Sequence, residues 1–178
     1  PDTRRIITKA QKELAVSVRP AVSTTEFLSV ADKTFERQGL KPPYSRDFVT
    51  ALVDAANPRN AVDLLIAEDD ACNLHAGAMI VYDKEAAYYL MGGGDPEFRN
   101  SGAASLVLWE AILRSKERVS VFDFEGSMIE PIEHFFRGFG GTLTPYMGIH
   151  KAHSVRGQLY LIAQKIKQRR RSKTVKAA

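Results

Sequence analysis

The sequence contains little of what disulfide-rich or membrane-spanning proteins need. Among its 178 residues there is one cysteine, Cys72, and no apolar run long enough to cross a bilayer. A single cysteine cannot close an intramolecular disulfide, so a small disulfide-stabilised secreted scaffold is excluded. Cys72 lies in an apolar context between strand-like segments, which predicts a buried core residue in a reducing compartment and not a reactive thiol.

The first residues also lack the pattern of a secretory signal peptide. We therefore expect a cytoplasmic protein, with the inner membrane surface as the alternative location. With 44% hydrophobic residues, the chain is large enough for one globular domain that buries about 70% of its extended-chain surface. It begins at Pro1 without a methionine, so we expect it to be part of a longer protein.

Acidic residues are missing from the C-terminal end. Seven of the 25 basic residues lie from Lys165 onward, and no Asp or Glu follows that position, so the net charge of +4 arises from this segment. One interpretation is a solvated helix end. The other is a contact with RNA, an anionic lipid or a phosphorylated partner.

Hydrophobic periodicity and turn signals predict alternating helices and strands. The predicted helices are Thr3–Leu14, a helix capped by Ser23 and Glu26 that runs to Gln38, a helix between Ser45 and Asn57, Ala103–Lys116, Ile129–Arg137, and Ser154–Lys167. The predicted strands are Ala15–Arg19, Ala61–Glu68, Asn73–Tyr82, Ala86–Met91, Val119–Glu125 and Thr142–His150. The strands before and after Ala103–Lys116 should form a right-handed parallel crossover. The predicted fold class is therefore α/β, with a mixed, mostly antiparallel sheet that has a central parallel pair and is flanked by helices.

The stretch Leu90–Trp109 is predicted to join a strand to a helix through a glycine-rich loop. Gly92–Gly94 would let the backbone turn, Pro96 would end strand pairing, and Ser101 or Asn100 would cap the helix. Unbonded N–H groups in the first turn of that helix would then face a phosphate or pyrophosphate. The alternative is an ordinary turn before a helix.

The order of these segments resembles the GNAT acyltransferase fold. Its pyrophosphate loop has the pattern Arg/Gln-x-x-Gly-x-Gly/Ala, which Arg99, Gly102 and Ala104 match. Further blocks resemble the Fem-type branch of GNAT proteins, which includes aminoacyl-tRNA-dependent transferases: Asp123-Phe124-Glu125-Gly126, Phe135-Phe136-Arg137-Gly138-Phe139-Gly140-Gly141 and Tyr146-Met147-Gly148. The resemblance implies an interlobe helix and first strand at 1–20, a GNAT-like domain at 21–168 and a basic flexible tail at 169–178. It also implies that an N-terminal GNAT-like lobe precedes this one.

The resemblance assigns a binding site for acetyl-CoA or another acyl-CoA. The thioester would enter where Ala86–Met91 and Val119–Glu125 diverge, and a backbone N–H near Leu90 or Met91 would bind its carbonyl oxygen. The loop Arg99, Asn100, Ser101, Gly102, Ala103, Ala104 would hold the pyrophosphate. No metal is implied, because the four histidines do not combine with Cys72 or neighbouring carboxylates into a ligand set.

Two carboxylates are candidates for the base that takes a proton from the amine. Period-two alternation places Asp123 and Glu125 on one face of the predicted strand, about 6–7 Å apart. The alternative is that one carboxylate caps the next helix and the other is solvated.

Trp109 is predicted to be a core residue of the preceding helix and not a stacking platform.

One position departs from the family pattern. Many GNAT enzymes have a tyrosine, and aminoacyl-transferring Fem enzymes a lysine, at the position of Phe136, which has no proton to donate. Tyr146 is a candidate substitute. We therefore predict an N-acyltransferase that uses acyl-CoA and a small-molecule or cell-envelope precursor amine. The alternatives are aminoacyl transfer from tRNA in cell-wall or lipid modification, and a non-catalytic substrate-binding lobe.

Overall fold

A computed structural model gives the fold and describes residues 2–127, 129–145, 149, 151–163 and 166. The chain divides into two compact units, the first ending at Glu125 and the second beginning at Gly126. The helices of the first unit are α1 (Asp2–Glu13), α2 (Thr24–Ala31), α3 (Lys33–Arg37), α4 (Arg46–Ala56) and α5 (Ala103–Ser115), with short 3₁₀ turns at Asn57–Arg59 and Pro96–Phe98. Its strands are β1 (Ser17–Pro20), β2 (Val62–Glu68), β3 (Leu74–Tyr82), β4 (Ala86–Gly94) and β5 (Val121–Asp123).

The five strands form one sheet in the order β1-β2-β3-β4-β5. The first three pairings are antiparallel, and β4 and β5 are parallel. The connection between the parallel strands runs through α5, and its predicted right-handedness stays a prediction. The predicted fold class, a mostly antiparallel mixed sheet with one parallel pair and flanking helices, is confirmed.

Each face of the sheet is covered by helices. On one face, Phe27 and Val30 of α2 and Val49 of α4 pack against Ile66 and Met79 of the sheet. Side chains alternate along a strand, so Leu65, Ala78 and Ile80 lie on the opposite face, where α5 packs. Because both faces are buried, β2 and β3 have the long apolar sequences from which they were predicted.

Arg19 fastens β1 to its neighbours. Its guanidinium donates two hydrogen bonds to each of Glu26 (2.7 and 3.0 Å) and Glu68 (2.7 and 2.8 Å). The Arg19 hydrogen bond lowers the pKa of Glu26. The predicted capping box is therefore only half formed: Ser23 Oγ accepts from the Glu26 N–H at 3.1 Å, but the Glu26 carboxylate binds Arg19 and the Val22 N–H.

The helix predicted to run to Gln38 is two helices. α2 ends at Ala31 and α3 begins at Lys33, and Asp32 between them forms an ion pair with Arg46 at 2.6 Å. The prediction of one helix was therefore wrong. It missed the break because the sequence has no glycine or proline there to mark the end of a helix. The next helix begins as expected, because Ser45 Oγ accepts from the Phe48 N–H at 3.1 Å.

A polar cluster closes the far end of α5. The Tyr82 hydroxyl donates to Asp63 at 2.6 Å and lies 3.1 Å from Ser115 Oγ. The Arg118 guanidinium lies 3.7 Å above the Tyr82 ring. Burial, together with the neighbouring Asp63 carboxylate, raises the pKa of Tyr82 to about 12.

In the second unit, α6 (Glu130–Arg137) confirms the predicted short helix. Residues 155–163 and 166 are helical, in agreement with the predicted closing helix, of which 164, 165 and 167 lie outside the described residues. The predicted strand Thr142–His150 is wrong for 142–145 and 149, which are not in a strand. Residues 146–148, 150 and the basic tail at 169–178 lie outside the described part.

Two core predictions were wrong. Cys72 is exposed in the turn between β2 and β3, with a φ of +62°. Trp109 is 37% exposed on the outer side of α5. Their apolar context in the sequence did not reveal the direction in which each side chain points.

The domain boundaries predicted at residues 20 and 168 stay predictions. Within the first unit, α1 packs on α5. Among the described residues, no helix has both the length and the apolar character needed to cross a bilayer.

Candidate functional site

The strand β4 bends and leaves its parallel neighbour. The pairing register between β3 and β4 skips Leu90, which forms a β-bulge. β4 pairs with β5 only over residues 86–88, so 89–94 extend beyond the paired region. β5 itself ends at Asp123, so β4 has no parallel partner at the position where the sequence predicts that the thioester enters. Leu90 is 38% exposed there, whereas the Met91 side chain packs against the core beneath α2 and α4.

The three glycines belong to β4, which corrects the prediction of a glycine-rich loop. Gly92–Gly94 pair with residues 76–78 of β3, and their φ values are not positive. A Cβ at Gly93 would lie 2.6 Å from the Ala31 carbonyl oxygen and 2.9 Å from Thr34 Oγ1. A Cβ at Gly92 would collide with the Tyr89 hydroxyl. Close approach by neighbouring groups, and not a turn, is what requires glycine here.

The end of β4 is attached to α3. Thr34 Oγ1 accepts from the Gly94 N–H at 2.9 Å and donates to the Gly94 carbonyl at 3.3 Å. Lys33 forms an ion pair with Asp95, which also accepts from the Glu97 N–H at 3.0 Å. The pKa of Asp95 is lowered: burial by itself would raise it, but the Lys33 ammonium and the Glu97 amide outweigh burial. The loop that leads to α5 therefore starts from a fixed point.

The loop ends at Gly102, which is the N-cap of α5. Its φ is +77°, and a Cβ there would lie 2.8 Å from Ile6 Cγ2 and 2.9 Å from the Ile6 carbonyl oxygen on α1. The prediction that Ser101 or Asn100 is the cap was therefore wrong. Ser101 nevertheless supports the helix start, because its Oγ accepts from the Ala103 N–H at 3.2 Å. Gly102 thus has a structural role that is independent of any ligand.

The first turn of α5 has backbone donors available for an anion. In the described part of the chain, no acceptor is found for the N–H groups of Ala104 and Ser105. Arg99 and Asn100 precede this turn and are both exposed. Free amides at a helix N-terminus, together with the positive end of the helix dipole and a nearby guanidinium, fit a phosphate group.

The two predicted carboxylates are not on one strand face, which corrects that expectation. β5 ends at Asp123, and Glu125 has a left-handed φ of +59°. The Glu125 N–H donates to Asp123 Oδ1 at 2.7 Å, so a turn closed by the Asp123 side chain brings the two residues together. Both residues are exposed. Tyr146 lies outside the described residues.

A pocket of about 170 Å³ lies beside the start of α5 and was not predicted. Arg37 and Arg99 line it, together with His75, whose imidazole is 5% exposed and stacks on Phe98 with ring centroids 4.0 Å apart. A histidine within the apolar sequence of β3 was a signal that could have indicated this site. No feature of the sequence indicated that Arg37 belongs to this pocket. In the described ranges, no group of three or more His, Cys, Asp or Glu residues is arranged to hold a metal ion.

The bulge in β4 and the free amides at the start of α5 are features that the resemblance to acyltransferases led us to expect. A family model described as an acetyltransferase (GNAT) domain matches residues 2–135. The chain therefore belongs to the GNAT acetyltransferase family. No curated protein matches the chain in sequence.

Solved structures share the fold at low sequence identity. FemX aligns with a TM-score of 0.63 and 13% identity over 70% of this chain, which spans about half (47%) of the FemX chain. A predicted acetyltransferase from Clostridium acetobutylicum, determined with acetyl-CoA, aligns with a TM-score of 0.62 and 16% identity over 78% of this chain and 99% of its own. An aminoglycoside 6′-N-acetyltransferase from Acinetobacter baumannii aligns with a TM-score of 0.54 and 16% identity over 79% and 99%, respectively.

Proposed function

We propose that this domain transfers an acyl group from acyl-CoA to an amine. The observation that carries the proposal is the bulged β4, which extends beyond its pairing with β5 and leads towards the free amides of α5. An acyl-CoA placed here would have its thioester carbonyl oxygen beside the Leu90 and Met91 backbone. Its pyrophosphate would lie beside Arg99 and the Gly102–Ala104 segment, where the Ala104 amide is free. The free amide groups of this turn fit the phosphate oxygens.

In the proposed reaction, the amine nitrogen attacks the thioester carbonyl carbon. A backbone N–H at the bulge stabilises the negative charge that develops on the carbonyl oxygen. The C–N bond forms, the C–S bond breaks, and CoA leaves as the thiolate. Asp123 or Glu125 accepts the proton of the amine, directly or through water. Tyr146 is the proposed proton donor to the thiolate, since Phe136 cannot donate a proton.

The fold likeness to FemX favours one alternative, aminoacyl transfer from charged tRNA. In that case the acceptor would be a cell-wall or lipid precursor, and the basic residues from Lys165 onward would contact the RNA. Another alternative is a binding lobe that has no chemistry of its own and supports a preceding GNAT-like lobe. A tRNA ester has a poorer leaving group than a thioester, and Phe136 offers it no proton. We therefore prefer the acyl-CoA donor.

The first test compares thermal unfolding with acetyl-CoA, CoA, pantetheine or charged tRNA. A ligand that binds only the folded state must raise the unfolding temperature. We expect acetyl-CoA and CoA to stabilise the protein more than pantetheine, which lacks the phosphates. Equal responses to CoA and pantetheine would contradict pyrophosphate binding, and stabilisation by charged tRNA alone would favour the alternative donor.

The second test identifies the base. Asp123→Asn and Glu125→Gln preserve shape but remove the ability to accept a proton. Loss of the base should lower kcat by roughly 10²–10⁴-fold with little change in acetyl-CoA affinity. Activity that survives both substitutions, singly and together, would show that neither carboxylate is the base. A wild-type protein that binds acetyl-CoA but acylates no amine, alone or with a preceding lobe, would favour the binding-lobe alternative.

A further inference from the structure

The side chain of Tyr89 lies against the backbone of Gly92, on the far side of the bulge in β4. A Cβ at Gly92 would lie 2.6 Å from Tyr89 Cζ and closer still to the hydroxyl oxygen. The hydroxyl therefore occupies the space that a side chain at residue 92 would fill. Tyr89 itself is partly buried.

The bulge brings these two residues together on one face of the strand. Tyr89 pairs with Ile80 and Gly92 with Ala78, and both partners lie on the face where α5 packs. In a regular strand, residues 89 and 92 would lie on opposite faces. The extra residue at Leu90 makes Gly92 the next residue after Tyr89 on this face. The bulge therefore directs a phenol hydroxyl towards the part of β4 that extends beyond β5.

The proposed function places a thioester sulfur beside the same part of β4. The carbonyl oxygen would lie beside the Leu90 and Met91 backbone, and the pyrophosphate beside the start of α5. β4 leads in that direction through Gly92–Gly94, which have no side chains. Because the sulfur joins the carbonyl carbon to the pantetheine arm, it lies on the Gly92 side of the carbonyl, within about one strand residue, or roughly 3.3 Å. The Tyr89 hydroxyl lies over this position.

A hydroxyl at this position acts as a hydrogen-bond donor that keeps its proton. Burial raises the pKa of Tyr89 to about 12. A thiol has an ordinary pKa of about 8.5, so transfer of the tyrosine proton to a thiolate is unfavourable by more than about 10³-fold. A hydrogen bond to a charged acceptor is stronger than one to a neutral acceptor, so the hydroxyl favours the departing thiolate over the intact thioester.

We propose that the Tyr89 hydroxyl donates a hydrogen bond to the thioester sulfur and stabilises the thiolate as the C–S bond breaks. The electron pair of that bond stays on sulfur, and Tyr89 remains protonated throughout. The proton that the thiolate finally takes up comes from a separate donor, for which Tyr146 is proposed. The inference rests on the proposed function, and it assigns to β4 a contact with the leaving group that Phe136 cannot make.

The experiment measures by calorimetry the affinities of CoA and of desulfo-CoA, which lacks the sulfur. It uses about pH 6 and about pH 9.5, which lie below and above the ordinary thiol pKa of about 8.5. The proteins are wild type, Tyr89→Phe and the matched control Tyr88→Phe. Tyr88 pairs with Val81 on the other face of β4, and its hydroxyl donates to Asp83 at 2.9 Å. Groups other than the sulfur that titrate in this range affect both ligands alike, so the ratio of the two affinities isolates the thiolate.

We expect Tyr89→Phe to weaken CoA binding by roughly 10–100-fold at the higher pH, where the bound thiolate has lost its hydrogen bond. At the lower pH the affinity should change by less than about 3-fold, because a neutral sulfur is a weak acceptor. Desulfo-CoA affinities, and all affinities of Tyr88→Phe, should be unchanged. Replacement of Tyr89 by 3-fluorotyrosine, a more acidic phenol and a stronger donor, should strengthen CoA binding at the higher pH.

Three results would overturn the inference. Equal CoA affinities of wild type and Tyr89→Phe at the higher pH would do so and leave the proposed function intact. Equal weakening of CoA and desulfo-CoA would show that Tyr89 shapes the site without contacting the sulfur. If Tyr89→Phe does not fold, an unchanged CoA affinity of the 3-fluorotyrosine protein would decide against the inference instead. A wild type that binds neither ligand would refute the proposed function together with the inference.

Discussion

Replacing Thr34 by valine should loosen the end of β4 while preserving the shape of the side chain. Thr34 Oγ1 accepts from the Gly94 N–H at 2.9 Å, and this N–H is partly buried. Valine leaves it without an acceptor, at a cost of about 1–3 kcal/mol. For a protein of this size each kcal/mol lowers Tm by about 2–4 °C, so we expect a decrease of roughly 2–12 °C.

Thr34→Ser is the matched control because it keeps the hydroxyl and loses only a methyl group, which is worth up to about 0.8 kcal/mol. Thermal and urea unfolding of both variants measure the difference, and hydrogen exchange at the Gly94 amide reports it locally. The valine variant should be the less stable, with faster exchange at Gly94. Equal unfolding temperatures and equal exchange rates for the two variants would refute the attachment of α3 to β4.

Three further changes test contacts described above. Gly102→Val should cost about 2–5 kcal/mol, because the backbone there is left-handed and the Ile6 carbonyl oxygen of α1 lies close. Gly39→Val is the control: its φ is +62° but the space around it is open, so it should cost only the backbone strain. Equal losses in Tm would contradict the packing of α1 on the loop. Tyr82 has its pKa raised to about 12 from 10, so the unfolded state loses this proton first and stability falls as pH rises from 10 to 12. Tyr82→Phe should therefore be less stable at pH 7 but lose less stability over that range in urea unfolding, and a parallel decline would count against the raised pKa. Arg19→Lys should lower the free energy of unfolding by about 1–2 kcal/mol, because an ammonium cannot form two bidentate pairs. Arg137→Lys, at an exposed pair, should change the free energy of unfolding in urea by less than about 0.5 kcal/mol. Similar values for the two variants would mean that the Arg19 cluster adds little.

Local signals in the sequence predicted the elements whose causes are local. Ser45 marks the start of α4 because its own side chain caps the helix. The apolar sequences of β2 and β3 indicate strands because both faces of the sheet are covered. The order of these elements was sufficient to predict the mixed sheet and its parallel pair.

The errors occurred where a distant group determines the local structure. Gly93 is glycine because the Ala31 carbonyl oxygen lies close to it, and that contact joins residues 62 positions apart. A sequence pattern cannot distinguish this cause from a turn. Likewise, alternation predicted one face for Asp123 and Glu125, but the strand ends at the first of them and the Asp123 side chain closes a turn.

The pocket beside α5 shows the same limit for the candidate site. Arg37 and His75 belong to α3 and β3, which are separated by all of α4 and β2 in the sequence. Only the folded sheet brings them to one cavity with Arg99. The loop sequence from Arg99 to Ala104 could indicate an anion site, but it contains no information about the side chains that complete the pocket.

The bulge at Leu90 gives β4 a position where one residue can be removed while the other side chains stay on the same faces of the sheet. The pairs on either side of it, Ile80 with Tyr89 and Met79 with Met91, would become consecutive rungs of a regular ladder if Leu90 were deleted. Removing a residue farther along the strand instead would shift the residues between that position and the bulge by one and exchange their faces. Deletion of Leu90 should therefore straighten the strand while every remaining side chain keeps its face of the sheet. Such a variant changes the bend of β4 without changing which side chains pack on each face.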